Sequence, residues 1–261
     1  MRSTTLVSLT ALAGASRVLA GNTIWATPHD SYSSSIGVLG CKIDTDRVAY
    51  WPDSVSCSNI CVSVSYGGRS VTLLRVDQSQ GAHDMSYDAW NYLYTGQSAL
   101  DNPTAGGAVE MEYEDLDPEE CADLIHTDDS KLPLSASNSM NFLASCLEAE
   151  SGNDNWVGDN YVLYNILDSV CSWGYDEVCT LDWPSANQAK CANPLGSPAT
   201  LTSEPVYNIL YPSGVKVLAS TGQEVDDSAQ NGNQGNGRVI PGFRWLTALA
   251  TSISLFVQSS G

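Results

Sequence analysis

Val62, Val64 and Tyr66 alternate with Ser63 and Ser65, a period of two that predicts a strand with one apolar face. Gly67-Gly68 comes next, and two residues tolerant of positive φ suit a tight hairpin turn. The following run, Ser70 to Asp77, carries Val71 and Leu73 on one face and Leu74 and Val76 on the other. A strand apolar on both faces belongs in the wall of a small closed barrel. Val109, Met111 and Tyr113 alternate with Glu110, Glu112 and Glu114, which predicts a strand with a core side and a solvated acidic side. The glutamate row would also suit a calcium ion, but a solvated face is the simpler reading.

Helical spacing is found elsewhere. Ala89, Trp90, Leu93 and Tyr94 share one face of a short helix after Asp84, with Ser86 or Asp84 as its cap. Asp117-Pro118-Glu119-Glu120 predicts another start, with aspartate capping, proline in the first position and glutamate three residues past the cap. Ser135 to Glu150 reads as a helix with Met140, Leu143 and Leu147 inward, whereas 156–168 fits helix or strand. Cys171 to Cys191 is a loop rich in cysteine, tryptophan and aspartate, and Val206 to Leu218 predicts a last hairpin around Tyr211-Pro212-Ser213-Gly214. No internal repeat is present.

The ends differ from the middle. Arg2, the apolar or small run Leu6 to Ala13 and the small residues of Val18-Leu19-Ala20 form a secretory signal peptide over 1–20. Residues 219–238 are polar and rich in glycine and asparagine, the composition of a disordered linker. The apolar stretch Trp245 to Val257 is too short to span a bilayer, and small residues, polar spacer and apolar end together match a glycosylphosphatidylinositol attachment signal over 239–261. Asn231, Gly232 or Ser228 would take the anchor, so contact with a membrane is expected only through that lipid.

Eight cysteines, Cys41, Cys57, Cys61, Cys121, Cys146, Cys171, Cys179 and Cys191, all follow the leader. An even number in a secreted chain implies about four disulfides, whose pairing the spacing leaves open. A zinc site is the rival, but three histidines and no paired C-x-x-C motifs do not supply one, and no metal or other cofactor is expected.

Charge narrows the partners. Between Gly21 and Asn231 stand 30 acidic and 7 basic side chains, a net of −23. Such a surface repels nucleic acid, anionic membranes and acidic polymers such as pectate. Neutral glucans or chitin remain as cell-wall polysaccharide partners.

Five segments, in order, resemble the double-psi β-barrel shared by expansins, barwin, cerato-platanins and bacterial rare lipoprotein A, in a fungal secreted form. Tyr32, Gly37 and Gly40-Cys41 are similar to the opening aromatic and the Gly-Ala-Cys-Gly segment of an expansin. Cys57-Ser58-Asn59-Ile60-Cys61 with Val62 and Val64 resembles the C-G-x-C-F-x-I strand with one residue inserted. Ser70 to Asp77 resembles the strand ending in the first groove aspartate, and Gly81 to Trp90 the G-x-x-D-L-S-x-x-A-F signature. Gly107 to Cys121 is similar to the closing strand. The resemblance implies a mainly β fold with helices: a six-stranded double-psi barrel over 21–121, followed by a disulfide-rich, partly helical extension over 122–218. Departures are the short loop between Asp77 and Asp84, the absence of a spacer between His83 and Asp84, and the lack of a following carbohydrate-binding β-sandwich.

What the resemblance implies about the site is carried over residue by residue. Asp84 matches the groove aspartate needed for wall loosening, which serves as the acid in related hydrolases; Asp77 matches the other groove aspartate. Asp30 would be a third polar group, and Tyr32 and Trp51 would form a sugar-stacking floor. The plainer roles are a helix cap for Asp84, a turn residue for Asp77 and core packing for the rings. Hydrolysis requires two placed carboxylates, and the second motif of the family's cellulases is missing. G-x-S-x-G is absent, and a chain beginning at Gly21 lacks the terminal histidine of a copper monooxygenase. The leading expectation is an extracellular, wall-associated protein that binds or loosens polysaccharide without hydrolysis. The alternatives are a glycosidase or lytic transglycosylase using Asp84, and a non-catalytic host- or wall-interaction protein. An open cleft with exposed rings favours the first, carboxylates at hydrolytic spacing the second, and a plugged groove the third.

Overall fold

The computed structural model of the chain describes residues 22–148 and 155–225. The expected leader, the expected anchor signal and most of the linker lie outside these residues. Six strands, β1 (Asn22–His29), β2 (Val48–Trp51), β3 (Cys61–Tyr66), β4 (Arg69–Gln78), β5 (His83–Ser86) and β6 (Val109–Asp115), close into a barrel in the order β1-β5-β2-β4-β3-β6. The pairs β1·β5 and β2·β4 are parallel and the other four are antiparallel. The chain is thus mainly β, with the six-stranded double-psi barrel that the resemblance implies.

Register explains the two-faced β4. On one side Val62 meets Leu73, Val64 meets Val71, Ala49 meets Met85 and Ile24 meets Met111. All six strands contribute to this cluster, which is therefore the barrel interior, and Trp90 and Leu93 of α1 (Tyr87–Thr95) close one end of it. On the other side Val48, Tyr50, Cys61, Leu74 and Val76 join a second core with Leu132, Leu134, Leu143, Val157 and Leu163. The extension buries the outside of the barrel wall, so β4 is apolar on both faces because both are covered.

The extension holds a three-stranded sheet of β7 (Leu132–Ser135), β8 (Tyr161–Ile166) and β9 (Gly174–Cys179), the two helices α2 (Met140–Glu148) and α3 (Trp156–Asp159), and a hairpin of β10 (Tyr207–Ile209) with β11 (Lys216–Leu218). The eight cysteines form four disulfides, and the pairing that spacing left open is Cys41 with Cys171, Cys57 with Cys146, Cys61 with Cys121 and Cys179 with Cys191. The first two tie the barrel to the extension.

Several local expectations are corrected. Asp84 lies in β5 and caps no helix; Ser86 holds the N-cap position of α1, but its hydroxyl donates to the Asp46 carbonyl (2.5 Å) instead of a helix N–H. Asp117 and Pro118 open a 3-10 helix, Pro118–Leu124, without a side-chain cap. Ser135 to Ser139 is strand end and turn, because the parallel pairing of β7 with β8 claims Leu132 to Ser135 first. The inward face of α2 is Leu143 with Cys146, both fully buried, whereas Met140 and Leu147 are only half-buried. Cys146 takes the innermost place because its bond to Cys57 draws that face of the helix onto the barrel. The ambiguous run 156–168 is both types, a single helical turn and then β8. Residues 219–225 of the expected linker fold back on the last hairpin, where Val225 N–H donates to Lys216 carbonyl at 2.9 Å.

Candidate functional site

Strand order brings the candidate carboxylates together. On the outer face, Tyr50 of β2 stands opposite Asp84 of β5 and opposite Asp77 of β4. A register shift between Ala49 and Tyr50 sets Asp77 in that position; an unbroken parallel register would place Val76 there. Thr27 lies beside Asp84 across the β1·β5 pair, and its hydroxyl donates to the Asp84 carboxylate. His29, two residues along the same face, packs its ring on Tyr50 with centroids 4.5 Å apart. Asp84, Asp77, Tyr50, Thr27 and His29 thus form one ledge. Two interstrand spacings separate Asp77 from Asp84, about 10 Å between Cα atoms.

The two aspartates are used differently. Asp77 accepts from Ser33 hydroxyl at 2.6 Å, Ser35 N–H at 3.0 Å and Gln78 N–H at 2.8 Å. These bonds fix the 33–35 loop and occupy the carboxylate with structural work. Asp84 has the Thr27 hydroxyl and is only partly buried. Between them, burial holds the Tyr50 phenol far above its usual range, so it remains a proton donor, and the nearby Asp77, Asp46 and Asp84 charges act in the same direction.

Asp30 is a tether: its carboxylate accepts from the Ser31 hydroxyl (3.2 Å) and from Tyr211 N–H (3.2 Å). Tyr32 N–H donates to the Asn208 side chain at 2.9 Å, which fixes the β10–β11 hairpin against the barrel. The pocket between Tyr50, Asp46, Ser86, Tyr87 and the hairpin residues Tyr207 and Asn208 retains about 20 Å³, room for a single water. Asp46, which lines it, has its carboxyl pushed up to about 6, chiefly by burial and then by the Asp88 charge.

The expected sugar-stacking floor is absent. Tyr32 is 7% exposed, and its hydroxyl donates to Val38 carbonyl at 3.0 Å. Trp51 is 2% exposed inside the barrel, with the Arg75 guanidinium over its ring at 5.1 Å and His83 and Tyr113 edge-on. Both rings are core because strand parity turns Trp51 inward and the second core takes Tyr32. Burial also lowers the His83 pKa.

Sequence reasoning brought Asp84 and Asp77 to one face but missed Thr27, Tyr50 and Asp46. Thr27 and Tyr50 follow only from the long-range strand register, which leaves no local signal. It also missed Trp25, which alternates in β1 between the buried Ile24 and Ala26 and is 62% exposed; that alternation was legible.

No family model matches the chain, and no curated protein matches it. Among solved structures, cerato-platanin 2 from M. perniciosa is similar at a TM-score of 0.29 and 13% identity, over 38% of this chain and 98% of that one. Four disulfides fit a protein of an oxidising, extracellular compartment.

Proposed function

We propose that this chain is a secreted, wall-associated, expansin-like protein that binds cell-wall polysaccharide, neutral glucan or chitin, without cleaving it. The observation that carries the reading is the unequal state of its two aspartates. Asp77 spends its carboxylate on three loop hydrogen bonds, which leaves Asp84 without a free partner to activate water or act as nucleophile. Asp46, its carboxyl pushed up to about 6, lines the pocket of about 20 Å³ beneath the hairpin, which has no room for a sugar.

Asp84, Thr27 and His29, all half-buried, then serve as hydrogen-bond partners for sugar hydroxyls along the ledge, with the protonated Tyr50 backing them. The leader would export the protein and the lipid signal would hold it at the cell surface. Pull-down on insoluble chitin and β-glucan tests the ledge: the wild type is expected in the pellet, and Asp84→Asn is expected to shift toward the supernatant with its circular dichroism unchanged. Equal retention of the two proteins on every glycan would overturn the role of Asp84.

A protein-contact role without glycan is the second reading. The hairpin seated against Asp30 and Tyr32, and the burial of Tyr32 and Trp51, favour it, since both remove groove features a sugar would use. Failure to bind any polysaccharide would bring it forward.

A further inference from the structure

We infer that the adjoining face of the barrel, where β1 meets β6 and β6 meets β3, carries a second glycan surface beside the Asp84 ledge, selective for a cationic amino-sugar polymer such as deacetylated chitin. Trp25 on β1 stands directly opposite Glu110 on β6, and one pair further along, Thr23, Glu112 and Ser65 line up across β1, β6 and β3. All five side chains lie on the outer face. Beside them an open depression of about 670 Å³ runs to the Gly67-Gly68 turn, lined among others by Thr23, Ser65, Glu110 and Glu112. Trp25 is 62% exposed, the most exposed large hydrophobic side chain among the described residues.

The chemistry selects the occupant. A flat indole offers stacking to the C–H face of a pyranose and attraction to a nearby ammonium group. Glu110 and Glu112 have no hydrogen-bond partner among the described residues and supply the matching negative charge. Thr23 and Ser65 hydroxyls give and accept bonds to sugar hydroxyls. Arg69, the cation that lines the depression, is engaged by the end of α1: it donates to Leu93 carbonyl at 2.9 and 2.6 Å and to Tyr94 carbonyl at 3.2 Å. A basic peptide fits less well. The barrel is closed and presents no strand edge for peptide addition, and the polar lining offers no apolar pockets for alternate side chains. An acidic or neutral polymer forgoes the glutamates.

Calorimetric titration of the secreted protein with glucosamine hexamer, N-acetylglucosamine hexamer and hexalysine tests this. The glucosamine hexamer is expected to bind tightest and to weaken as salt rises. Trp25→Ala should lower its affinity roughly tenfold, and Glu110→Gln with Glu112→Gln should flatten the salt dependence. The Trp25→Ala and glutamate effects are expected equally in the Asp84→Asn background, which removes the ledge contribution, so failure here is distinct from failure at the ledge. Unaltered thermal midpoints establish that the variants fold, as expected for exposed positions. Equal affinity for the acetylated hexamer, equal affinity for hexalysine, or a change below twofold on Trp25→Ala would each overturn the proposal.

Discussion

Asp84 and Asp77 respond differently to removal because one is a free group on a strand and the other is a staple. Asp84→Asn keeps an acceptor for Thr27 and touches no helix cap, so its effect on stability is expected within about 0.5 kcal/mol. Asp77→Ala strands a hydroxyl and two N–H groups, and is expected to lower unfolding free energy by roughly 2–4 kcal/mol in denaturant titration. Asp46 gives a pH signature. Its folded pKa of about 6 lies above the ordinary value of 3.8, so folding favours the protonated form; that contribution is complete below about 4 and lost as pH rises through 6. Asp46→Asn should therefore gain stability over wild type between those values, reaching up to about 3 kcal/mol above pH 6. The lowered His83 pKa acts oppositely, since protonation there costs stability as pH falls below about 6.5. Both proteins share it, so the difference curve, measured by urea unfolding from pH 4 to 8, isolates Asp46.

The β10–β11 hairpin is the element that most changes the picture of the groove. Tyr211 packs edge-on to Tyr87 at 5.2 Å, its hydroxyl exchanges hydrogen bonds with Gly106, and Ile209 enters the barrel core. Gly214, at φ +72°, sits so close to Ala99 carbonyl and Pro103 that a side chain would collide. Tyr211→Ala is expected to cost roughly 3–5 kcal/mol and to expose 207–218 to limited proteolysis, read by mass spectrometry; an unchanged cleavage pattern would contradict the anchoring role. The hairpin itself was legible from Pro212 and Gly214, but its docking was not, because Asp30 and Tyr211 lie 181 residues apart. The strands β3, β4 and β6 were legible from their period of two. The start of α2 was not, because Ser135 pairs with Tyr164 of β8 and the Ser/Asn-rich run after it turns before the helix begins. Within α2, Leu143 was legible from its spacing, but Cys146 was not, because only the partner Cys57 in the barrel turns it inward. Of the site, Asp84 and Asp77 were legible; Tyr50 and Thr27 became neighbours through pairings between strands distant in sequence, parallel in β1·β5 and β2·β4 and antiparallel in β2·β5, that no local pattern encodes.

At the scale of the whole molecule, barrel and extension are one unit sharing a core, cross-linked by the disulfides Cys41–Cys171 and Cys57–Cys146, which close spans of 130 and 89 residues. Constraint of the unfolded chain by such long loops is worth about 4–5 kcal/mol each in the entropy model, against net domain stabilities of about 5–15 kcal/mol. Reduction is therefore expected to abolish cooperative thermal unfolding, and losing Cys179–Cys191, which spans 12 residues, should cost least of the four. The acidic surface matters at the same scale: it disfavours anionic polymers on the ledge and, through Glu110 and Glu112, favours a cationic one on the adjoining β1–β6–β3 face.

Binding without turnover is the central claim, and the release of soluble reducing ends tests it most directly. The secreted protein, held with insoluble chitin or β-glucan at a concentration where most of it is pelleted, is expected to release no more reducing sugar over a day than the glycan alone. Steady release by wild type that disappears in Asp84→Asn would contradict it and make Asp84 a catalytic acid.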